Sequence, residues 1–331
     1  MMERKHYYGI DWLRVIACLG IVMMHMLSKG NNDYNVTGFI AERMIPSFTN
    51  FVFLFMTISA FGLCVGYYEK VKSGKINWSD FYKKRYIKVL PFFAVVVLAD
   101  IVFKHNITAL VEAVPNLTLT RGFFPNSISQ IGVAWFLGVI FVFYAIFPFF
   151  CCLISSKKSA WGFFAVSILL SFIVEKFYGI GRTNIIYCLP FFVAGGLIYL
   201  YRDKIQKIRW HWMIPVLVIS IIAYYLIGGN TFTYLWMSIV LLLQAVVIRG
   251  GYNRFISLLS GISMEIYLSH MVMFRVIEKL RLNTRFGDEW AQYLITVILT
   301  FICAVCFSIL VKKVIELIGE KLVKNNESIN D

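Results

Sequence analysis

Charged side chains are scarce in this 331-residue sequence, at 15% of residues, and acidic ones are the scarcest, with 18 Asp and Glu against 32 Lys and Arg. A soluble globular domain carries about a quarter charged residues. Apolar residues make up 59% of the chain and lie in runs long enough to cross a bilayer, which takes about 20 residues per helix. This composition predicts an all-α, polytopic integral membrane bundle.

Other missing features exclude further classes of protein. The seven Cys lie in or beside apolar runs, so a disulfide framework is not expected. Cys303 and Cys306 form a CxxC inside an apolar helix, which favours packing sulfur over a metal site, and we expect no metal. No basic stripe with interleaved aromatics occurs in a soluble segment, which excludes nucleic acid as a partner. Without repeats or a separate soluble domain, residues 1–331 are predicted to form one transmembrane domain.

The apolar runs predict about ten transmembrane helices. They cover approximately 8–28, 45–67, 87–103, 131–153, 161–178, 184–201, 212–228, 231–248, 255–277 and 290–311. With both termini cytoplasmic, Lys and Arg in the inner segments outnumber those in the outer segments about two to one. The first run contains Asp11 and Arg14 and has no small-residue cleavage site after it, so we expect a retained span. These features suggest a multi-pass protein of a bacterial plasma membrane.

The first span carries a polar stripe. Eleven residues return a helix to within about 20° of its starting direction, so Arg14 and His25 face the same way, and Asp11 shares that face. Ionisable groups inside a membrane are expensive and functional by default. A neutral imidazole suits general-base work, and a guanidinium suits a carboxylate, thioester oxygen or phosphate. We therefore expect both groups to face a water-accessible passage. The alternative is a structural pairing of Asp11 with Arg14, one turn away.

Arg14 and His25 spell R-x10-H in a span that begins GIDWLR. This resembles the membrane-bound acyltransferase-3 family, whose members move acyl groups, usually acetyl from acetyl-CoA, onto exported sugars and related acceptors. The family also has about ten spans with the amino end inside, so the resemblance covers the whole chain. It implies that His25, Arg14 and Asp11 are catalytic candidates.

Two further segments resemble the family in the same order along the chain. In NFVFLFMTISAFGL, Phe55 and Ser59 match an F-F-x-x-S-G segment, although Met56 and Ala60 depart from it. In VAWFLG, Trp135 matches a W-F-L segment. The resemblance makes Phe55, Ser59 and Trp135 candidate substrate-binding residues. The alternatives are close helix packing at Ser59 and an ordinary interfacial tryptophan at Trp135.

The basic segment FYKKRYIKVLP lies where the family often shows R-x-x-R. Arg85 matches the first arginine, and Lys88 replaces the second. The resemblance implies that Lys84, Arg85 and Lys88 hold the phosphates of CoA at the inner face. A lysine attracts phosphate as a point charge without the bidentate geometry of arginine. Binding of anionic lipid is the alternative for such a cluster.

The ninth span reads SGISMEIYLSHMVMF and resembles S-x-x-I-Y-L-x-H segments of the family. Ser263, Tyr267 and His270 are spaced i, i+4, i+7 and share a helix face. His270 is a candidate second acid/base or acceptor ligand, and Glu265 a candidate substrate-binding residue. A polar seam between helices is the alternative.

These patterns predict a transmembrane O-acetyltransferase that takes an acyl group from cytoplasmic acetyl-CoA. The predicted acceptor is a hydroxyl of a cell-surface polysaccharide or its lipid-linked precursor, so the partners are acyl-CoA, an exported glycan and membrane lipids. A proton-coupled transporter is the rival, because Asp, Arg and His on one stripe also suit a proton relay. No inverted repeat or matched pair of broken helices favours it. A structural membrane protein without turnover is the third possibility.

Overall fold

The computed structural model describes residues 6–104, 107–120, 134–287 and 289–330. Within these ranges the chain is helical throughout, with no strand. In chain order the helices are α1 (Tyr8–Tyr34), α2 (Ile40–Lys72), α3 (Trp78–Lys104), α4 (Ile107–Leu117), α5 (Ala134–Leu153), α6 (Lys157–Tyr178), α7 (Ile185–Ile205), α8 (Trp210–Ile227), α9 (Thr231–Val247), α10 (Arg254–Gly261), α11 (Ser263–Lys279) and α12 (Glu289–Asn330), with a 3₁₀ turn at Leu282–Thr284. This confirms an all-α polytopic membrane bundle.

Every one of the ten predicted spans falls on a helix, although residues 131–133 of the fourth lie outside the described ranges. Seven helices are long and apolar enough to cross a bilayer, and eight if the bent pair α10–α11 forms one span. The other two predicted spans, 87–103 and 231–248, correspond to α3 and to the shorter α9. The described residues thus give seven or eight candidate spans where about ten were predicted.

Helix α1 lies at the centre of the bundle, in contact with α2, α9, α10, α11 and α12. The approach to α9 is close because Gly9 has no side chain. A Cβ at this position would overlap the carbonyl oxygen of Ala245. The central position of α1 explains why a stripe of polar residues in its sequence is turned towards other helices and away from lipid.

A second close contact joins α2 to α7. A Cβ at Gly195 would overlap the carbonyl oxygen of Thr57, so only glycine allows this backbone approach. Aromatic rings fill the space on either side. Phe53 stacks on Phe191 with ring centroids 4.4 Å apart, and Phe143 stacks on Phe192 at 3.9 Å. In contrast, α6 and α8 lie at the periphery with mostly exposed apolar side chains, as lipid-facing helices do.

The predicted ninth span, 255–277, is broken. Helices α10 and α11 meet at a 70° bend, so the predicted span consists of two helices. Helix α10 follows Gly250 and Gly251 and is capped by Asn253, and Ile262 at the bend has φ −116° and ψ 13°, outside the helical region. Small and polar residues, Ser260, Gly261 and Ser263, flank the bend. The bend turns Ser260, Gly261, Ser263 and Glu265 towards a cavity inside the bundle.

Candidate active site

The polar stripe of α1 packs against the broken span. Near the inner end, the hydroxyl of Ser260 donates to Asp11 at 2.7 Å. About two turns further along, the thiol of Cys18 lies 3.6 Å from the carbonyl oxygen of Ser263. The face predicted from the helical period is therefore an interior face along this length of α1.

Asp11 is held by a local pair of contacts. Its second oxygen lies 2.6 Å from Nε2 of His6, while Ser260 binds the first. No ion pair joins Asp11 to Arg14 in the structure. The structural alternative, in which Asp11 balances the charge of Arg14, therefore has no direct ion pair behind it in the described residues. Asp11 is buried beside α10 and does not line the cavity, which leaves its proposed catalytic role without direct contact to that space.

A cavity of about 210 Å³ lies between α1, α2, α3, α5 and the broken span. Its walls include six of the residues predicted from the sequence to act in the site: Arg14, Phe55, Ser59, Arg85, Lys88 and Glu265. The structure also brings in residues that the sequence reading had not assigned to a site, among them Tyr144, Ser260 and Met264. Residues from six helices, α1, α2, α3, α5, α10 and α11, thus converge on one space.

Arg14 reaches into the cavity without a hydrogen bond or an ion pair in the part of the chain that the structure describes. On the α2 side it lies beside Gly62, where a Cβ would be 3.9 Å from one of the guanidinium nitrogens. A partly buried cation without a direct ion pair is suited to a negatively charged or strongly polarised ligand.

Arg85 and Lys88 add two more cations on one face of α3, three residues apart. The guanidinium of Arg85 lies 5.0 Å from the ring centre of Tyr67 and 5.5 Å from that of Tyr144, so aromatic faces hold it in place. Lys84, the third residue predicted to bind CoA, is exposed and lies outside the cavity lining. The direction in which α3 packs decides which of the three cations reach the site.

Glu265 is the acidic member of the cavity wall. One of its oxygens forms an ion pair with Lys312 of α12 at 3.2 Å, and the other is buried without a hydrogen-bond partner in the structure. In the sequence, Lys312 is one of the basic residues of the predicted inner segments, and no motif connects it with the site. Since the two residues are far apart in the chain, no local pattern signals this pair.

His25 lies just beyond the outer end of the cavity. Its ring centre is 5.1 Å from that of His270, which is fully buried, and His270 is 6.0 Å from Tyr267, a cavity-lining residue. His270 Nδ1 lies 2.6 Å from the carbonyl oxygen of Tyr267. A carbonyl only accepts, so Nδ1 carries the proton, and Nε2 is left as a buried acceptor without a partner in the described structure. Of the R-x10-H pair, therefore, only Arg14 faces the cavity. The ring of Tyr267 lies between the cavity and the two histidines.

Trp135 does not line this cavity. Its ring lies at the outer side of the bundle, with the guanidinium of Arg182 4.9 Å from its centre. Arg182 appeared in the sequence only as one outer charge among several, and no motif marks it.

Among the described residues, no group of three or more His, Cys, Asp or Glu is arranged to hold a metal ion. What the residues present can do follows from their charge: cations line the inner part of the site, and imidazoles lie at its outer end.

Comparison with known proteins gives one match to a family model, described as an acyltransferase domain, over residues 7–309. No curated protein and no solved structure matches the chain.

Proposed function

Because this chain belongs to the acyltransferase 3 family over nearly its whole length, we propose that it O-acetylates an exported glycan, with cytoplasmic acetyl-CoA as the donor. The acceptor is a hydroxyl of a cell-surface polysaccharide or of its lipid-linked precursor, and the setting is a bacterial plasma membrane. The observation that carries the proposal is the cationic cavity, one of whose lining residues, Tyr267, lies next to the pair of His270 and His25.

The donor enters from the inner side. Arg85 and Lys88 attract its phosphates, Arg85 as a fixed planar fork and Lys88 as a point charge. The thioester end extends towards Arg14, which forms no ion pair in the described structure. There the guanidinium polarises the carbonyl and stabilises negative charge on its oxygen as the acceptor attacks. Glu265, held by Lys312, limits the positive charge of the empty cavity.

In the chemical step, the oxygen of the acceptor hydroxyl attacks the thioester carbon. A carbon–oxygen bond forms, the carbon–sulfur bond breaks, and the hydroxyl proton passes to His25 as general base. The CoA thiolate leaves and takes that proton back, so the products are an O-acetyl ester and free CoA thiol. His270, whose Nε2 is an acceptor, lies next to His25 and orients or stabilises the protonated ring.

For the reaction to occur, the thioester and the acceptor must meet between Arg14 and His25. Tyr267 separates the two ends, packed edge-on against Phe136 at 5.2 Å. We therefore propose that the Tyr267 side chain moves when both substrates are bound. A direct transfer is favoured over an acyl-serine intermediate, since no serine lies in hydrogen-bond contact with His25 in the described structure. An acyl-histidine is the alternative.

Release of free thiol from acetyl-CoA by the purified protein tests the proposal. Wild-type protein should release thiol in the presence of a glycan acceptor, and His25→Ala should abolish release while the protein still elutes as a folded species. Thiol release unchanged in His25→Ala would refute the role of this residue. Uptake of a solute into vesicles with no thiol release would favour the transporter alternative.

A matched pair of lysines tests where the donor binds. Lys88 lines the cavity, whereas Lys83 is exposed on the same helix and does not. Lys88→Gln should raise the KM for acetyl-CoA about tenfold, the effect of one charge-assisted contact, while Lys83→Gln should change it less than twofold. Equal effects would mean that general surface charge attracts the donor and that the cavity does not bind it.

A further inference from the structure

Arg182 lies in the loop between α6 and α7, on the outer side in the predicted orientation. The loop backbone is fixed at three points. Gly179 adopts a left-handed conformation with φ 62° to end α6, the Cys188 thiol lies 3.2 Å from the carbonyl oxygen of Arg182, and Asn184 caps α7. The backbone of this arginine is therefore held in place by its immediate neighbours.

The guanidinium of Arg182 is held as firmly as the backbone. It donates to the hydroxyl of Thr49 at 3.1 Å and to the Thr49 carbonyl oxygen at 3.0 Å. The rings of Phe53 and Trp135 lie 5.4 Å and 4.9 Å from it. Such a cation is pre-organised, because little side-chain entropy remains to be lost when a ligand binds.

The charge of Arg182 is not balanced within the described structure. No carboxylate forms an ion pair with it, and its Nε is buried without a hydrogen-bond partner. Only two of the five N–H groups of the guanidinium are used, both by Thr49. A partly desolvated cation with unused donors is expensive to maintain unless an anion binds there in the working complex.

The location identifies the side of the reaction to which this anion belongs. Thr49, which binds Arg182, lines a cavity of about 510 Å³ that also includes Ser28, one helical turn from His25 on α1. The phosphates of the donor belong at the opposite, inner end, near Arg85 and Lys88. A ligand at Arg182 therefore reaches the candidate base from the acceptor side.

We propose that Arg182 is the anchor for an anionic acceptor, which presents a carboxylate or a phosphate to the guanidinium and its hydroxyl to His25. This deepens the proposed function and depends on it for the chemistry, although not for the binding. The shared requirement is an oxyanion on the acceptor sugar. A uronic acid and a sugar phosphate are its two possible sources.

Binding without donor tests the site independently of catalysis. Glucuronic acid, glucose 1-phosphate and glucose share a ring and differ in charge, and each is titrated against wild-type protein while thermal stabilisation is followed. We expect at least one anionic sugar to bind tenfold or more tightly than glucose. Arg182→Gln should remove this preference. The anionic sugar that loses more affinity shows whether the site takes a carboxylate or a phosphate. Arg43→Gln, which removes an exposed outer charge, should leave the preference intact.

Acceptor-stimulated thiol release from acetyl-CoA forms the second readout. Arg182→Gln should lower kcat/KM tenfold or more for the anionic sugar and less than twofold for glucose, and Arg182→Lys should recover part of the loss. An equal decrease for charged and neutral sugars would show a structural role only and overturn the proposal, as would a wild-type protein without charge preference in binding. If charge-selective binding is present but no variant releases thiol, the proposed acetyl transfer fails while the anion site stands.

Discussion

Arg14 and Arg275 are two membrane-region cations whose replacement by glutamine should have opposite consequences. Arg14 faces the cavity with no hydrogen bond or ion pair in the described structure. Arg275 of α11 forms an ion pair with Asp100 of α3, whose residue exposure is only 2%. The first cation is available to a ligand, and the second holds two helices together.

The magnitudes follow from these contacts. Removing Arg275 takes away the ionic partner of a buried carboxylate, which destabilises a protein by on the order of 3 kcal/mol. For a chain of this length that corresponds to a decrease in Tm of roughly 5 °C. Removing Arg14 breaks no hydrogen bond or ion pair of the described structure and relieves a desolvated charge, so Tm should stay the same or rise. If Arg14 supports the thioester oxygen by a charge-assisted hydrogen bond of about 1.5–3 kcal/mol, kcat/KM should fall about 10- to 100-fold.

The assay combines thermal unfolding in detergent with thiol release from acetyl-CoA for Arg14→Gln, Arg14→Lys and Arg275→Gln. We expect the Arg14 variants to be stable and slow, with Arg14→Lys the less impaired, and Arg275→Gln to be unstable but close to normal in kcat/KM below its Tm. A lower Tm in Arg14→Gln with unchanged kcat/KM would refute the reasoning, because it would assign Arg14 to the scaffold.

Three further expectations follow from the packing and the charge of the site. Gly195→Leu should greatly lower the yield of folded protein, because the new side chain overlaps the Thr57 carbonyl, whereas Gly162→Leu, in open space, should not; size-exclusion profiles compare the two. In a double-mutant cycle with Glu265→Gln and Lys312→Met, unfolding should show a coupling of roughly 1 kcal/mol; additive effects would argue against their ion pair. Raising the salt concentration should increase the KM for acetyl-CoA, and an unchanged KM would contradict electrostatic capture by the cavity.

Periodicity along single helices was the strongest guide from the sequence. The spacing of Arg14 and His25 predicted a shared interior face of α1, and that face packs on the broken span at Ser260 and Ser263. The reason is physical: the direction of a side chain around a helix axis depends only on its position in the chain. In the same way, apolar length alone placed all ten predicted spans on helices.

Features that depend on contacts between helices could not be obtained in this way. The 70° bend at Ile262 directly follows Gly261, but an isolated glycine also occurs inside unbroken helices, so the bend does not follow from the sequence alone. The pair of Glu265 and Lys312 joins helices that are neighbours only after folding. Which of Lys84 and Lys88 faces the cavity is decided by how α3 packs against its neighbours, because both carry the same charge in the same basic segment.

The bond between His270 and the Tyr267 carbonyl also determines how a proton can travel through the bundle. A relay across the membrane would have to enter an imidazole at one nitrogen and leave at the other, or rotate the ring between the two steps. Here the Nδ1 proton is committed to the backbone of its own helix, so His270 can gain and return a proton only at Nε2. Such a ring can store a proton during a group transfer but cannot act as a link in a conducting chain.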